Sequence, residues 1–348
     1  MPDRATDSLP DEFAPRRLVR RVALVTVLVV ALVLVALLAP GLGDVRDILR
    51  RADPWWLVAA VVFEALSCIS YVLMFRPVFC RRMSWRTSAE IGWAELGVGS
   101  LVPASGAGGL ALGAWILSRR GMPPERIARR SVAFFLIKSG VNFAAVAVLG
   151  TVMALGIVGP DLSLWLTAVP AAAATLAIAA VVAIPRLGPG PDPGPDASRF
   201  RRGISAGRRA VIDGTAEAGQ ILRTGDRRVL GGSFGYWAFD NAVLWATFHA
   251  FALSPPLTIV LMGYLIGQLG GLLPIPGGIG GIDGGLIGTL IVYGTAAAGT
   301  AAAVLAYRVI LFWLPLVVGG IAFASLRRDM PSGGELATCA PAIAAQST

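Results

Sequence analysis

Residues 22 to 39 read VALVTVLVVALVLVALLA, and Thr26 is the only polar side chain among them. A helix that is apolar on every side belongs in a membrane or in the core of a large protein. This run is long enough to cross the roughly 30 Å of bilayer hydrocarbon. It follows about twenty mostly polar residues and has no small-x-small cleavage site before Gly41-Leu42-Gly43, so it reads as a retained span and not a signal. The rest of the chain agrees. Of its 348 residues, 55% are apolar and 15% are charged. A soluble domain carries about 25% charged residues. The predicted class is an all-α polytopic membrane protein.

Six full spans are predicted, at about 22–40, 55–75, 131–157, 162–184, 229–253 and 299–325. Two further apolar stretches, 88–118 and 257–294, do not read as simple spans. The first would be about 46 Å long as one straight helix, and LVPASGAGG interrupts it. LLPIPGGIGGIDGG interrupts the second. Proline and clustered glycine break helices, and irregular backbone at membrane depth must be buried in protein or line a wet cavity.

The net charge of +9 lies in short arginine clusters between apolar blocks. The positive-inside rule expects this of cytoplasmic loops. Such clusters attract anionic lipid headgroups, and no nucleic-acid partner is expected. Arg16, Arg17, Arg20 and Arg21 hold the N-terminus in the cytoplasm. Two spans return the chain there at Arg76, Arg81, Arg82 and Arg86. If 88–118 crossed the membrane, Arg119, Arg120, Arg126, Arg129 and Arg130 would lie outside. So would the nine arginines of loop 185–228. A re-entrant hairpin opening to the cytoplasm keeps both groups inside. The stretch 257–294 has no basic flank and reads as a hairpin entered from outside. The last span then ends in the cytoplasm at Arg327 and Arg328. The multi-pass chain is assigned to the cell membrane with both termini cytoplasmic.

GSLVPASGAGG (99–109) and GGLLPIPGGIGG (270–281) resemble one another. Each stands between an acidic and a cationic residue: Glu64, Pro103, Lys138 in the first unit, and Asp240, Pro274, Arg308 in the second. Each unit is two spans, a broken hairpin and another span, and the two start on opposite sides. That is an inverted-topology repeat, a build of secondary transporters whose sites use half-helix ends near the midplane. The predicted organisation is a cytoplasmic tail, 1–19, and a single membrane domain, 20–328. Within it lie repeat 1 (about 20–157), repeat 2 (about 162–328) and the basic loop 185–228. A disordered tail, 329–348, follows. Residues 201–228 read as a helix on the inner leaflet or as a solvated loop.

LVPASGAGGLALGAWILSRRG, and PIPGGIGGIDGG followed by LAYRVILFWLPLVVGG, resemble the lysylphosphatidylglycerol synthase transmembrane family, also called the flippase-like domain family. The resemblance covers about 20–325, and its second motif is the more specific. It implies movement of a phospholipid or lipid-linked substrate between leaflets. The best-known members carry a soluble aminoacyl-transferase domain, which is not expected here. Many members have an acidic residue and an arginine after the first Gly/Pro motif; GLALGAWIL has neither. Asp283 stands where a glutamate is usual, Arg308 matches the family arginine, and Lys138 takes its place in the first half.

Ionisable side chains in hydrocarbon are expensive, which makes each a candidate for function. Lys138, the one lysine, neutralises a substrate phosphate or pairs with Glu64, Glu90 or Glu95. Arg308 offers a planar fork suited to phosphate, or forms a structural bridge to Asp240 or Asp283. Asp283 sits where an N-cap would. Gly277, Gly278, Gly280 and Gly281 let backbone amides approach a phosphate or let helices pack closely. Pro103, Gly106 and Pro276, in the two turns, are counted with the substrate-binding residues. Glu95 carries a proton, partners Lys138, or is solvated at the interface. Asp240 is preferred to Asn241, and His249 reads as interfacial. Gly106 to Ala111 match a dinucleotide fingerprint in letters only, since no strand precedes them. No metal or cofactor is expected. The leading function is a flippase or transporter for an anionic lipid or lipid-linked intermediate, not an enzyme, with oligomerisation left open. The alternatives are an intramembrane transferase on a lipid-phosphate substrate and a non-catalytic scaffold.

Overall fold

The computed structural model describes residues 14, 16–24, 26–27, 47, 50–101, 107–188, 198–268 and 281–328. Most of the first expected span, both Gly/Pro turns and the C-terminal tail therefore lie outside the described residues. So do Pro103, Gly106, Pro276, Gly277, Gly278 and Gly280.

The first long helix, α1 (Pro54–Phe79), starts where Asp53 accepts a hydrogen bond from the Trp55 amide at 2.9 Å and Pro54 occupies the first turn. Both features satisfy a helix start. It leads to a pair of shorter helices, α2 (Trp85–Gly97) and α3 (Ala107–Arg119), and then to α4 (Pro124–Ala154) and α5 (Leu164–Ala183). The basic stretch forms α6 (Arg199–Arg223), so of its two predicted forms the helix is the one observed. After it come α7 (Arg227–Ala250), a second short pair, α8 (Leu257–Gly267) and α9 (Gly281–Val292), and finally α10 (Ala297–Arg328).

Four helices among the described residues are long and apolar enough to cross a bilayer: α1, α4, α5 with its extension to Arg186, and α10. The fifth expected span there, α7, is long enough but carries glycines, Asp240 and Asn241. It can do so because it is packed inside the bundle, with α1 as its most extensive partner. Glycine at 232 permits that approach, since a Cβ there would stand 2.8 Å from the Ser70 carbonyl oxygen. The Ser67 hydroxyl donates to the Tyr236 carbonyl across the same interface, at 3.1 Å. α4 begins at Pro124, seven residues before its expected start. Its polar first turns are held by protein: Arg129 and Arg130 both reach Glu217 of α6, at 2.7 Å each.

Helix contacts fall into matched pairs. α2 packs on α3 as α8 packs on α9. α2 meets α10 as α8 meets α4, and α1 meets α4 as α7 meets α10. The two larger cores among the described residues sit at opposite ends. One joins the C-terminal part of α1 to α2, α3 and the start of α4, and includes Val229 and Leu326. The other joins α8 and α9 to Phe248, Met153, Ala60 and the start of α10. Met83 before α2 and Met122 after α3 share the first core; Phe251 before α8 and Tyr293 after α9 share the second. Each short helix pair thus enters and leaves at one end of the bundle, and the two pairs use opposite ends.

Candidate functional site

The centre of the bundle is assembled from α1, α2, α4, α7, α8 and α10. In the first half the Tyr71 hydroxyl donates to the Glu95 carboxylate at 2.5 Å. Both side chains are buried. Gly113 of α3 makes room for that carboxylate, because a Cβ there would overlap Glu95 Oε1. In the second half the arrangement recurs with the chemistry exchanged. The Tyr264 hydroxyl donates to Asp240 Oδ2, and the Tyr307 hydroxyl reaches Asp240 Oδ1 at 3.3 Å. Tyr71 and Asp240 are 169 positions apart, as are Glu95 and Tyr264. Both pairs span 24 positions of chain.

Lys138 and Tyr307 are also 169 positions apart. In this register the position matching Lys138 is Tyr307, one residue before Arg308, which corrects the expectation that Lys138 takes the place of Arg308 in the first half. The Lys138 ammonium stands 5.8 Å from the Tyr71 ring centre and 5.7 Å from that of Tyr236. Both contacts are cation–π arrangements. The ammonium feels the charges of Glu95 and Asp240, but among the described residues it makes no ion pair. The pairing expected with Glu64, Glu90 or Glu95 is therefore absent. Glu90 is taken instead by Arg86, at 3.0 Å, and by the Ser325 hydroxyl, at 3.2 Å.

Glu64 is buried in the same group of side chains, within the field of Asp240. Cys68 donates its thiol to Glu64 Oε1 at 3.3 Å, while Oε2 has no hydrogen-bond partner among the described residues. Glu64 is thus a neighbour of Asp240 and not its counterpart in the other half. Asn241 turns its amide to the Trp237 carbonyl at 2.8 Å, so Asp240 is the residue of that pair committed to the cluster.

Arg308 and Asp283 form an ion pair, with Nε 2.5 Å from Oδ1 and both side chains only 14% exposed. Asp283 lies in the first turn of α9, which begins at Gly281, so it is inside the helix and not its N-cap. A carboxylate there is favoured by the helix dipole. The Arg308 charge also acts on Asp240 and Tyr307. The arginine therefore connects the opening turn of α9 to the buried tyrosine–carboxylate cluster. A cleft of about 450 Å³ lies beside this turn, between Gly284, Gly285 and Gly288 of α9 and Trp165 and Pro170 of α5.

The structure brings Glu64, Glu95, Lys138 and Asp240 together and sets Arg308 and Asp283 against them. Four of the five tyrosines, Tyr71, Tyr236, Tyr264 and Tyr307, complete the group, and the sequence reading singles out none of them. A signal for them exists: each is a hydroxyl within a predominantly apolar stretch, and three of them share that stretch with an ionisable residue. His249 is outside the group, with its ring against Trp56 and Trp245 at 4.9 and 4.1 Å.

An all-α bundle of membrane-crossing helices, with two short helix pairs at opposite ends and ionisable groups in its centre, is a polytopic membrane protein. Residues 22–319 match the lysylphosphatidylglycerol synthase TM region, and the chain belongs to that family. Two relatives come from Methanothermobacter thermautotrophicus (strain Delta H), and each is called a UPF0104 membrane protein. One is 27% identical over 90% of this chain and 95% of its own. The other is 25% identical over 85% of this chain and 92% of its own.

Proposed function

We propose that the protein moves an anionic phospholipid or lipid-linked intermediate between bilayer leaflets, as a transporter and not an enzyme. The observation that carries this is the Arg308–Asp283 ion pair at the opening turn of α9. Arginine stays protonated in proteins, so a buried guanidinium requires a partner at every stage. A phosphate entering at the start of α9 can take the place of the Asp283 carboxylate. Backbone amides of the first turn and the positive helix end add to its binding. The guanidinium is never left bare.

The matched helix contacts and the two cores at opposite ends support an inverted repeat in which α2–α3 is a hairpin open to the cytoplasm and α8–α9 one open to the outside. The exchanged tyrosine–carboxylate pairs make the halves related but not identical, as a protein alternating between two unequal states requires. Both termini are then cytoplasmic and the membrane is the cell membrane.

Reconstitution tests the reading. In liposomes, the purified protein is expected to redistribute a labelled anionic lipid between leaflets without ATP. New covalent lipid products with no redistribution would replace transport by group transfer.

A further inference from the structure

A second site lies away from the buried cluster. Its walls are α4, α5, α6 and the start of α7, and they enclose about 1090 Å³. Ligand pockets commonly measure about 300–1,000 Å³, so this groove suits a large occupant. Its sides are apolar, with Phe135, Val141, Val182, Leu222 and Phe234 among them. Two of its hydroxyls are already engaged: Thr215 donates to the Val211 carbonyl at 2.7 Å and Ser233 to the Leu230 carbonyl at 3.1 Å. A polar solute would find little to bind along these walls.

The charges are different. Arg186, just past α5, and Arg223, at the end of α6, both line the groove and both are exposed. Neither forms an ion pair among the described residues. Arg129 and Arg130, on the nearby α4–α6 contact, are by contrast both engaged by Glu217. An apolar groove ending at two exposed guanidinium groups is complementary to a molecule with long hydrocarbon chains and a phosphate. α6 is amphipathic, with Arg201, Arg202 and Arg208 exposed. That befits a helix lying at a membrane surface.

Two glycines establish that the space is open. A Cβ added at Gly140 of α4 or Gly219 of α6 meets no atom of the described residues within 4 Å, and both residues line the groove. Within 135–144 of α4, only Lys138 and Asn142 do not line it. They are one turn apart and so share the opposite face of the helix. The groove and the buried cluster are thus separated by α4 itself.

We infer that this groove holds one anionic phospholipid of the surrounding bilayer, its acyl chains between α4, α5 and α7 and its phosphate at Arg186 and Arg223. The site stands on the groove and not on transport. Lipid bound here in a protein that does not transport would uphold this inference and overturn the transport reading.

The test is native mass spectrometry of protein extracted from vesicles of equal phosphatidylglycerol and phosphatidylcholine. Wild-type protein is expected to retain one phosphatidylglycerol. Gly140→Trp with Gly219→Trp fills the groove and is expected to lose it, with elution and thermal unfolding unchanged. Arg186→Gln with Arg223→Gln is expected to keep a lipid but lose about tenfold in preference for phosphatidylglycerol. Both arginines are exposed, so this variant reads the headgroup site even where the tryptophans prevent folding. Equal retention of the two lipids by wild-type protein, or unchanged phosphatidylglycerol in the folded tryptophan variant, overturns the proposal.

Discussion

The Glu95 carboxylate accepts the Tyr71 hydroxyl at 2.5 Å, joining α2 to α1 in the interior of the bundle. Removing one partner leaves the other buried and unsatisfied, at about 1–3 kcal/mol. Tyr71→Phe is therefore expected to lower thermal stability in detergent. Glu95→Gln removes the charge as well, so adding it to Tyr71→Phe should cost less than the sum of the single changes. Strict additivity in the double-mutant cycle would mean the two side chains are not coupled.

Gly113 and Gly140 make a matched pair for testing packing. Alanine at 113 would drive its methyl into the Glu95 carboxylate, while alanine at 140 would enter open space. Gly113→Ala should destabilise by the roughly 1–3 kcal/mol of an overpacked core. Gly140→Ala should be neutral or stabilising by up to about 1 kcal/mol, the helix preference of alanine over glycine. Equal melting temperatures for the two variants would contradict the placement of Glu95 against α3.

Much of this architecture is legible in the sequence because its signals are local. Arginine clusters fall at the ends of apolar blocks, and the Gly/Pro runs at 99–109 and 270–281 interrupt them, so two short helix pairs can be drawn without any knowledge of packing. Arg308 and Asp283 are legible as a pair because a charge in hydrocarbon demands a partner. The tyrosine partners are not. Which side chain meets Glu95 depends on how α1 and α2 face each other, and that is decided by packing between residues far apart in sequence. The order of residues around each proline likewise aligns Lys138 with Arg308, one residue from its counterpart, because Pro103 and Pro274 are 171 positions apart while Glu95–Tyr264 and Lys138–Tyr307 keep the 169-residue register. The start of α4 is hidden for a related reason. Arginines end an apolar run, but Arg126, Arg129 and Arg130 continue the helix, two of them held by Glu217.

Glu217 offers a test of how α6 is held. It is 13% exposed and pairs with two arginines. Glu217→Ala should cost more than the ~0–1 kcal/mol of an exposed pair and less than the ~3–5 kcal/mol of a fully buried one. Hydrogen exchange should accelerate in α6 while α1 and α7 stay protected. Unchanged exchange in α6 would show that apolar contacts alone hold it.

Single cysteines report the orientation. Substitutions near Arg86 and near Met122 should both react with impermeant reagent from the cytoplasmic side only. Substitutions near Ser254 and Thr295 should both react from outside only. Labelling from opposite sides across either pair would remove the hairpin assignment.

Transport by an Arg308 variant reaches the central claim most directly. Arg308→Lys keeps the charge and loses the fork, so leaflet exchange of an anionic lipid should fall while the protein still folds. Arg308→Ala strands Asp283 and should abolish exchange. The measurement is the initial rate of phosphatidylglycerol redistribution in liposomes holding matched amounts of folded wild-type and Arg308→Ala protein. The account predicts that the variant is indistinguishable from protein-free liposomes. A wild-type rate in the variant would contradict it and make the Arg308–Asp283 pair a structural bridge.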